Sequence, residues 1–374
     1  MIGARGLANY GGFETFVAEL APRLVQRGHE VSISHRMPDK DSAQGETGGV
    51  KILYFPLRFP RGNVAARIFD LLYDWYFTLL CSFQLKCDVV YCLGLGAGLV
   101  IPLARLSKSE IVVNLDGLEW KRAKFRFVER AYLRASFLAS CFGADKLVID
   151  NSQLISQIPS RSRRKATHIP YGVSPRAGTS WNPAELSAYN QALAEKLTPG
   201  RFWLVVARLE PDNNIHTIVR AYARSRSRMP LVVVGSFASR AYGDEVVEIS
   251  RTAQQEKSVL FLGSIYTQKH LDMLRCACFA YIHGHSVGGT NPSLLEAMSA
   301  GNLIIAHDNP FNRELCGESA LYFGDVDELV NSISSLEMQT SEFRKFSDEV
   351  RAIATKKFRW EDVADAYDRL FASA

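Results

Sequence analysis

Residues 283–298 combine the residue types best suited to bind an anion at the end of a strand. A predicted strand ends in His283 and His285, a Gly-Gly turn follows, and Pro292 lies near the start of a predicted helix. Proline is tolerated there because the first helical N–H groups have no intrahelical acceptor. The pattern predicts a strand, a tight turn and a helix N-terminus directed at a ligand.

Backbone N–H groups and one carboxylate are the candidate contacts in this segment. We expect the N–H groups of Gly289, Thr290 and Asn291 to point at an anion, because helix N-termini favour negative charge. Glu296, about one turn into the helix, is expected to accept hydrogen bonds from ribose hydroxyls. The histidines and two nearby cysteines could suggest a metal, but such cysteines are mostly core residues, so we predict none.

Arg208 directly follows the carboxyl end of another predicted strand, within the segment 206–214. Open α/β sheets bind ligands at this edge. A guanidinium can hold a diphosphate through two oxygens at once. The alternative is a surface arginine in a turn.

Gly11 and Gly12 lie just before the first predicted helix, which begins near Glu14. Glycines there let backbone amides approach a ligand closely, and the helix N-terminus favours a phosphate. A nicotinamide nucleotide does not fit, because the loop is not GxGxxG and no acidic residue ends the strand at 31–35. The alternative is a tight turn without a ligand.

Asp116 and Glu119 follow the predicted strand at 111–114, together with Trp120 and two cations. Carboxylates are costly to bury without a partner. Two carboxylates in one such segment indicate a function, with a solvated loop as the alternative.

Two stretches combine cations with aromatic or apolar side chains. Residues 58–83 place arginines ahead of an aromatic-rich helix, and residues 121–134 carry a run of lysines and arginines. Such segments suit the headgroup layer of an anionic membrane. The alternative for the first is a helix packed on the sheet, with Asp70 and Asp74 on its solvated face.

The elements that must position these residues alternate between apolar runs and amphipathic stretches, which is typical of parallel sheets covered by helices. In the first half, the pattern predicts strands at 31–35, 50–55, 89–93, 111–114 and 146–150, and helices at 14–26, 66–83 and 125–142. In the second half, it predicts strands at 202–207, 231–235, 259–262, 280–283, 303–306 and 320–323, and helices at 215–225, 244–255, 268–275, 294–300 and 325–336. The pattern therefore predicts two α/β units.

Segments between these elements set the predicted boundaries. The Ser/Arg run at 160–165, the Pro and Gly that follow and the polar stretch to 199 indicate a connection that can act as a hinge. A charged, glycine-containing loop at 38–49 is predicted to be solvated. Only Met1 and Ile2 precede Gly3, so we expect the first strand to be truncated.

The composition is that of a globular protein. The chain has 374 residues, 47% of them hydrophobic and 22% charged, which excludes a disordered tail protein and a collagen-like repeat. That length suggests about two domains. The formal charge of +5 suits an anionic ligand or membrane surface and lacks the dense basic stripe of a nucleic-acid binder.

Cysteine spacing and hydropathy further limit the class of protein that the sequence can encode. Seven cysteines without paired spacing predict neither a disulfide framework nor a structural zinc, and favour a reducing compartment. The start has no apolar secretion core, and no uncharged apolar run reaches the roughly 20 residues that span a bilayer.

Together these residues resemble the family-4 retaining glycosyltransferases of the GT-B fold. The resemblance rests on the Gly-Gly loop, the arginine after the first strand of the second unit, and Pro-Ser-Leu-Leu-Glu-Ala-Met at 292–298 followed by Gly301. Residues 10–16, 116–122 and 283–298 are similar to a bacterial subgroup that includes rhamnosyltransferases of surface-polysaccharide assembly. The resemblance covers nearly the whole chain.

The resemblance implies an α/β protein with two Rossmann-like, doubly wound domains facing across a cleft. Residues 1–170 would form the acceptor-binding domain, with a C-terminal helix at 358–374 packing back on it. Residues 171–357 would form the nucleotide-sugar-binding domain.

The resemblance also assigns roles to matching positions. It implies that Arg208 binds the donor diphosphate, that Glu296 binds the ribose, and that Gly11 and Gly12 contact the diphosphate from the opposite wall. The amides of residues 289–291 would bind phosphate or sugar.

Two positions depart from the wider family. That family often has a Glu at the place of Gly288 and a Lys at the place of Asn213. We expect His283, His285 and Asn213 to hold the sugar instead, and loss of activity is the competing interpretation.

The resulting hypothesis is transfer of a sugar such as rhamnose from a nucleoside diphosphate sugar to a saccharide acceptor on a lipid carrier, in polysaccharide biosynthesis. The mechanism would be retaining and need no metal or other cofactor, with Asp116, Glu119 and Arg208 as candidate catalytic residues. We expect a cytoplasmic protein at the inner face of the plasma membrane, in peripheral contact through residues 58–83 and 121–134, with no nucleic-acid partner. A nucleotide-sugar epimerase or hydrolase on the same fold and a catalytically degenerate binding subunit remain alternatives.

Overall fold

The computed structural model describes residues 1–5, 11–36, 46–58, 63–122, 125–176, 180–185, 197–251 and 258–372. The chain divides into two compact units, and each has its own parallel strands and covering helices. The first unit holds residues 1–172, 288–290 and 360–374, and the second holds residues 173–287 and 291–359. This is the two-unit α/β architecture that the alternating pattern predicts.

The first unit begins with a helix and ends with the last helix of the chain. Its elements are α1 (Gly12–Gln26), β1 (Ser32–His35), β2 (Glu46–Thr47), β3 (Val50–Tyr54), α2 (Asn63–Leu79), β4 (Val89–Leu93), α3 (Ile101–Ala104), β5 (Glu110–Asn114), α4 (Phe127–Gly143), β6 (Lys146–Ile149), β7 (Ala166–His168) and, at the C-terminus, α12 (Trp360–Ala372). Strands β4, β5, β6 and β7 pair in that order and all in parallel, and β1 lies parallel to β3.

Met1 and Ile2 stand where the sequence predicts a truncated first strand. Ile2 forms a single bridge to Cys92 of β4, and its N–H donates to the Tyr91 carbonyl at 2.8 Å. On the other side, the Met1 carbonyl accepts from the Ser34 N–H of β1 at 3.1 Å. These two residues therefore link the two groups of strands of the first unit.

The second unit is built on one six-stranded parallel sheet. Its elements are β8 (Trp203–Val206), α5 (Ile215–Arg224), β9 (Leu231–Val234), α6 (Arg240–Arg251), β10 (Val259–Phe261), α7 (Gln268–Ala277), β11 (Ala280–His283), α8 (Pro292–Ala300), β12 (Leu303–His307), α9 (Pro310–Cys316), β13 (Leu321–Phe323), α10 (Val326–Met338) and α11 (Thr340–Lys357). The strand order is β10-β9-β8-β11-β12-β13. The order reverses between β8 and β11, so their carboxyl ends form a topological switch point.

Both faces of this sheet are covered, as the continuous apolar strands predict. Trp203 and Val205 of β8 pack into one buried cluster with α5, whereas Leu204 and Val206 pack into another with α7. The alternation of side chains along the strand explains this division.

Helix α12 packs into the core of the first unit. Its Trp360, Val363 and Tyr367 are buried in the cluster that holds α1 and β4, and the Tyr367 hydroxyl lies 2.7 Å from the Tyr91 hydroxyl. The boundary between the units falls between residues 172 and 173.

Two expectations about connections and exposure are wrong. The Ser/Arg run is a 3-10 turn, Ser160–Lys165, that leads directly into β7, and β7 pairs with β6, so this segment belongs to the first sheet and is no connection. Asp74 of α2 is buried instead of solvated, because Arg5 donates to both of its carboxylate oxygens. Most of the predicted loop at 38–49 lies outside the described residues.

None of the described helices is both long enough and apolar enough to cross a membrane.

Candidate functional site

The switch point of the second unit is held together by the side chains of two neighbouring elements. Tyr281 of β11 and Ser293 of α8 each donate to the carbonyl of Val206 at 3.0 Å. Their hydroxyls also lie 2.9 Å from each other. These bonds fix the first turn of α8 against the end of β8, where the segment containing Arg208 begins.

Asn213 ties the loop after β8 to the loop after β11. Its Nδ2 donates to the Arg208 carbonyl at 2.6 Å, and its Oδ1 lies 2.8 Å from His285 Nδ1. The Asn213 side chain is buried, whereas Arg208 is exposed. Arg208, Asn213 and His285 therefore lie at the same edge of the sheet, where the Asn213 side chain connects the two loops.

His285 is also fixed through its backbone. Its carbonyl accepts from Nδ2 of Asn309 and of Asn312, at 3.0 Å in each case. Because imidazole and carbonyl are both engaged, this histidine holds the loop in place.

His283 lies at the end of β11, two residues before His285. It is 3% exposed, and its Nε2 has no hydrogen-bond partner among the described residues. Burial, reinforced by the nearby His285 and His307 rings, holds the pKa of His283 well below its usual range. The ring is therefore neutral at pH 7, and its buried Nε2 can donate or accept one hydrogen bond that no described residue makes.

Glycines permit the close approach of these loops. A Cβ on Gly284 would lie 2.1 Å from the Asn213 carbonyl oxygen. Gly288 and Gly289 have φ values of +45° and +86°, which residues other than glycine rarely adopt. A Glu at 288, as in the wider family, would be strained in this backbone.

The N-terminus of α8 is capped by a side chain of its own segment. The Asn291 side chain caps it by accepting from the Ser293 N–H at 3.0 Å. Within the first unit, the Thr290 N–H donates to Asp150 Oδ2 at 3.0 Å. The expectation that the amides of residues 289–291 bind phosphate remains a prediction, and the Thr290 amide already has an acceptor.

Glu296 lies in a nearly buried ring of alternating charges. Its Oε1 accepts from Arg176 Nη2 at 3.0 Å, and its Oε2 pairs with Arg275, which is fully buried. Asp272 pairs with both arginines. The two carboxylate oxygens retain further lone pairs for a ribose hydroxyl, so the predicted role of Glu296 remains open to test.

In the first unit, Gly11 is the N-cap of α1, and the helix begins at Gly12. The Glu14 carboxylate curls back over this turn: its Oε1 accepts from the Arg5 N–H at 3.0 Å, and a Cβ on Gly11 would lie 2.0 Å from its Oε2. Because this carboxylate is the end of a flexible side chain, the close approach alone does not require glycine at position 11. Residues 6–10, which include the rest of the predicted loop, lie outside the described residues.

Asp116 and Glu119 lie after β5 as predicted. Asp116 has a left-handed backbone, with φ of +54°, and its N–H donates to Asn114 Oδ1 at 2.9 Å. Glu119 pairs with Arg122 at 2.8 Å, and Trp120 packs on Phe137. Asp116 is therefore held in an uncommon conformation, and Glu119 has a cationic partner.

Sequence reasoning missed Arg176, Arg275 and Asp272. None stands in a recognisable motif, and Arg176 precedes Glu296 by 120 residues, so spacing gives no signal for their pairing. No group of three or more His, Cys, Asp or Glu side chains among the described residues could hold a metal ion.

Two family models match separate parts of the chain. Residues 192–353 match the model described as "Glycosyl transferases group 1", and residues 1–174 match a domain of unknown function, DUF1972. The first match confirms the predicted glycosyltransferase character of that domain.

One curated relative and two solved structures illustrate the likeness. The N-acetylgalactosamine-N,N'-diacetylbacillosaminyl-diphospho-undecaprenol 4-alpha-N-acetylgalactosaminyltransferase of Campylobacter jejuni is 27% identical over 167 residues, 44% of this chain and 44% of the relative. Sucrose-phosphate synthase from Thermosynechococcus elongatus has a TM-score of 0.77 at 18% identity, covering 100% of this chain and 98% of that one. Anabaena HepE in complex with UDP-glucose has a TM-score of 0.76 at 16% identity, with coverages of 100% and 98%.

These likenesses differ in what they show. The structural similarity confirms the predicted GT-B glycosyltransferase fold, with parallel sheets and helices in two domains. The chain spans less than half the length of the curated relatives that it matches.

Proposed function

We propose that the chain transfers a sugar from a nucleoside diphosphate sugar to a lipid-linked saccharide, with retention of configuration. The observation that carries the proposal is the switch point of the second unit. There, an exposed arginine and a buried imidazole with an open nitrogen lie at the carboxyl ends of two adjacent strands.

The donor class is supported by the chemistry of this edge. The Arg208 guanidinium can bind two diphosphate oxygens, and His283 Nε2 can donate to or accept from the sugar. The structurally similar HepE was solved in complex with UDP-glucose, which favours a donor of the same class. We propose a deoxyhexose such as rhamnose as the sugar, on the resemblance of residues 283–298.

The acceptor class is supported by the Campylobacter relative, whose name specifies a diphospho-undecaprenol acceptor. A saccharide on such a carrier lies at a membrane surface. We therefore propose peripheral contact with the inner face of the plasma membrane.

In the proposed mechanism, the acceptor hydroxyl attacks the anomeric carbon on the face from which the nucleotide departs. The bond to the diphosphate breaks, and the departing phosphate oxygen takes the hydroxyl proton. Arg208 stabilises the negative charge that develops on that diphosphate. Asp116 and Glu119 are proposed to orient the acceptor or assist the proton, and neither a protein nucleophile nor a metal is required.

The experiment is Arg208→Ala, with Arg226→Ala as the matched control, since both arginines are exposed side chains of the second unit. A thermal-shift screen of nucleoside diphosphate sugars first identifies a donor, because ligand binding raises apparent stability. We expect Arg208→Ala to lower donor affinity and transfer by about tenfold or more, as loss of a charged hydrogen bond implies. The control variant should match the wild type.

Equal transfer by both variants would contradict the role of Arg208. Incubation of the donor without an acceptor separates the rival reactions. Rapid conversion of the donor under those conditions would favour an epimerase or hydrolase, and no binding of any donor would favour a degenerate subunit.

A further inference from the structure

Exposed large apolar side chains concentrate in the first unit. Among the described residues, every large apolar side chain that is exposed lies between positions 57 and 155, except Tyr266 and Met338. Scattered exposed apolar residues are normal, but a contiguous group marks an interaction surface.

Helix α4 carries an apolar stripe on its exposed side. Val128, Ala131, Ala135, Leu138 and Phe142 recur at intervals of three and four residues, and all five are exposed. Such spacing places them on one face of the helix. The opposite face holds the buried residues of the helix, including Phe137 and Cys141, so the outer stripe takes no part in the core.

The segment around α3 extends this surface. Leu99, Leu103 and Leu106 are exposed, and Leu106 is 77% exposed. The segment lies directly against α4, because a Cβ on Gly98 would come within 2.4 Å of the Ser136 carbonyl oxygen. We name the five residues of the stripe and these three leucines the α3–α4 face.

Cations border the α3–α4 face. Arg105 Nη1 and Lys165 Nζ both donate to the carbonyl of Phe142, at 3.4 and 3.1 Å. Burial is the main cause of the lowered pKa of Lys165, and the nearby charge of Arg164 lowers that pKa further. Exposed Arg130 and Arg134 flank the stripe on α4. Two acidic residues lie nearby: Asp145 pairs with Arg105, and Glu129 caps the helix. These five cations form the cationic rim.

We propose that the α3–α4 face docks on an anionic lipid bilayer, with α4 lying parallel to the membrane plane. Apolar side chains would enter the headgroup layer, and the cationic rim would contact lipid phosphates. A second copy of the chain fits less well, because a two-fold contact would bring the two cationic rims together. The stripe of about 20 Å is too short to span a bilayer but long enough to lie along it.

This face differs from the stretches suggested by sequence alone. Residues 58–83 and 121–134 include neither the leucines of α3 nor Leu138 and Phe142. The proposal also builds on the proposed lipid-linked acceptor, and its test uses no sugar donor, so that failure of one can be told from failure of the other.

The test is co-sedimentation of the full chain with vesicles of phosphatidylcholine, with and without phosphatidylglycerol. Val128→Ser with Phe142→Ser removes two apolar contacts, and Arg134→Gln with Arg164→Gln removes two rim charges. Met338→Ser and Arg240→Gln are the matched controls, because each alters an exposed residue of the second unit. Circular dichroism and thermal unfolding verify that each variant is folded.

We expect binding to the anionic vesicles alone, weakened by high salt. The apolar double variant should lower the bound-to-free ratio by about tenfold or more. The rim double variant should lower it by about fivefold per charge at low salt. The two controls should bind as the wild type does.

Three outcomes would overturn the proposal. The first is that the wild type does not sediment with the vesicles. The second is that the wild type and both double variants bind equally. The third is that light scattering shows a wild-type dimer that the apolar double variant dissociates.

Discussion

Arg176 donates from Nη2 to Oε1 of Glu296 at 3.0 Å, and both side chains are nearly buried. The second oxygen of Glu296 pairs with Arg275, and Asp272 joins both arginines. Two cations and two carboxylates therefore balance within the second unit. The candidate ribose carboxylate is held in one orientation by the protein, whether or not it also contacts a nucleotide.

This arrangement predicts that Glu296→Ala destabilises the fold as well as any ligand complex. Removing the carboxylate takes the Glu296 partner away from the fully buried Arg275, whose contact to Asp272 is longer, at 3.5 Å. Breaking a buried pair of this kind costs about 3 kcal/mol of unfolding free energy. Urea unfolding of the variant measures the loss directly.

Glu248→Ala is the matched control, because Glu248 pairs with Arg251 on the solvated side of α6. An exposed pair contributes about 0.5 kcal/mol, so this variant should unfold near the wild-type midpoint. Equal midpoints for the Glu296 and Glu248 variants would contradict a structural role for the charge ring. Loss of activity in Glu296→Ala must be read together with this result.

The sequence predicts the scaffold better than it predicts the site. Periodicity placed β11 at 280–283 and β4 at 89–93, as observed, because buried parallel strands read as short apolar runs. It could not find β7, whose three residues follow a Ser/Arg run and are only partly buried or exposed. Short edge strands have too little apolar pattern to be recognised.

The candidate site was predictable where it depends on strand ends. Arg208, His283 and His285 lie at the switch point because their strands do. The partners of Glu296 were not predictable, since they come from α7 and from the segment that opens the second unit. Long-range pairing of charged side chains depends on the folded geometry, which no local pattern encodes.

Asn213→Lys introduces the residue found in the wider family, yet we expect it to weaken the site. The Asn213 amide donates to the Arg208 carbonyl and faces His285 Nδ1, and an ammonium cannot accept a hydrogen bond from that ring. Loss of these buried bonds costs about 2 kcal/mol. Calorimetry with UDP and urea unfolding should both show the decrease.

Asn213→Asp serves as the graded comparison. It keeps an oxygen facing His285 but loses the N–H donated to Arg208, so its stability should fall between wild type and Asn213→Lys. If Asn213→Lys instead binds UDP more tightly at unchanged stability, the interpretation of Asn213 as a tie between the loops is wrong.

Gly284→Ala is expected to push the two switch-point loops apart. The new Cβ would lie 2.1 Å from the Asn213 carbonyl oxygen and 2.9 Å from Ile218, so backbone must move. Overpacking of this kind costs about 1–3 kcal/mol. Gly324→Ala is the control, since its Cβ would meet only the flexible end of Glu328, at 3.4 Å. Thermal unfolding that ranks the two variants equally would refute the close approach.

His283 should make stability depend on pH below its ordinary pKa. Burial lowers the pKa of His283 in the folded state, so below about pH 6.5 the unfolded chain binds a proton that the folded chain does not. The unfolding free energy therefore falls as the pH falls, by up to about 1.4 kcal/mol per pH unit for this one group. His307, whose pKa burial also lowers, adds a contribution of the same sign.

His283→Gln should flatten this slope, because glutamine does not titrate and no longer binds a proton only in the unfolded state. The slope between about pH 7 and pH 5, measured by urea unfolding, is the diagnostic quantity, since the substitution can shift absolute stability at every pH. An unchanged slope in His283→Gln would mean that folding does not lower the pKa of His283, which would contradict the burial of this ring.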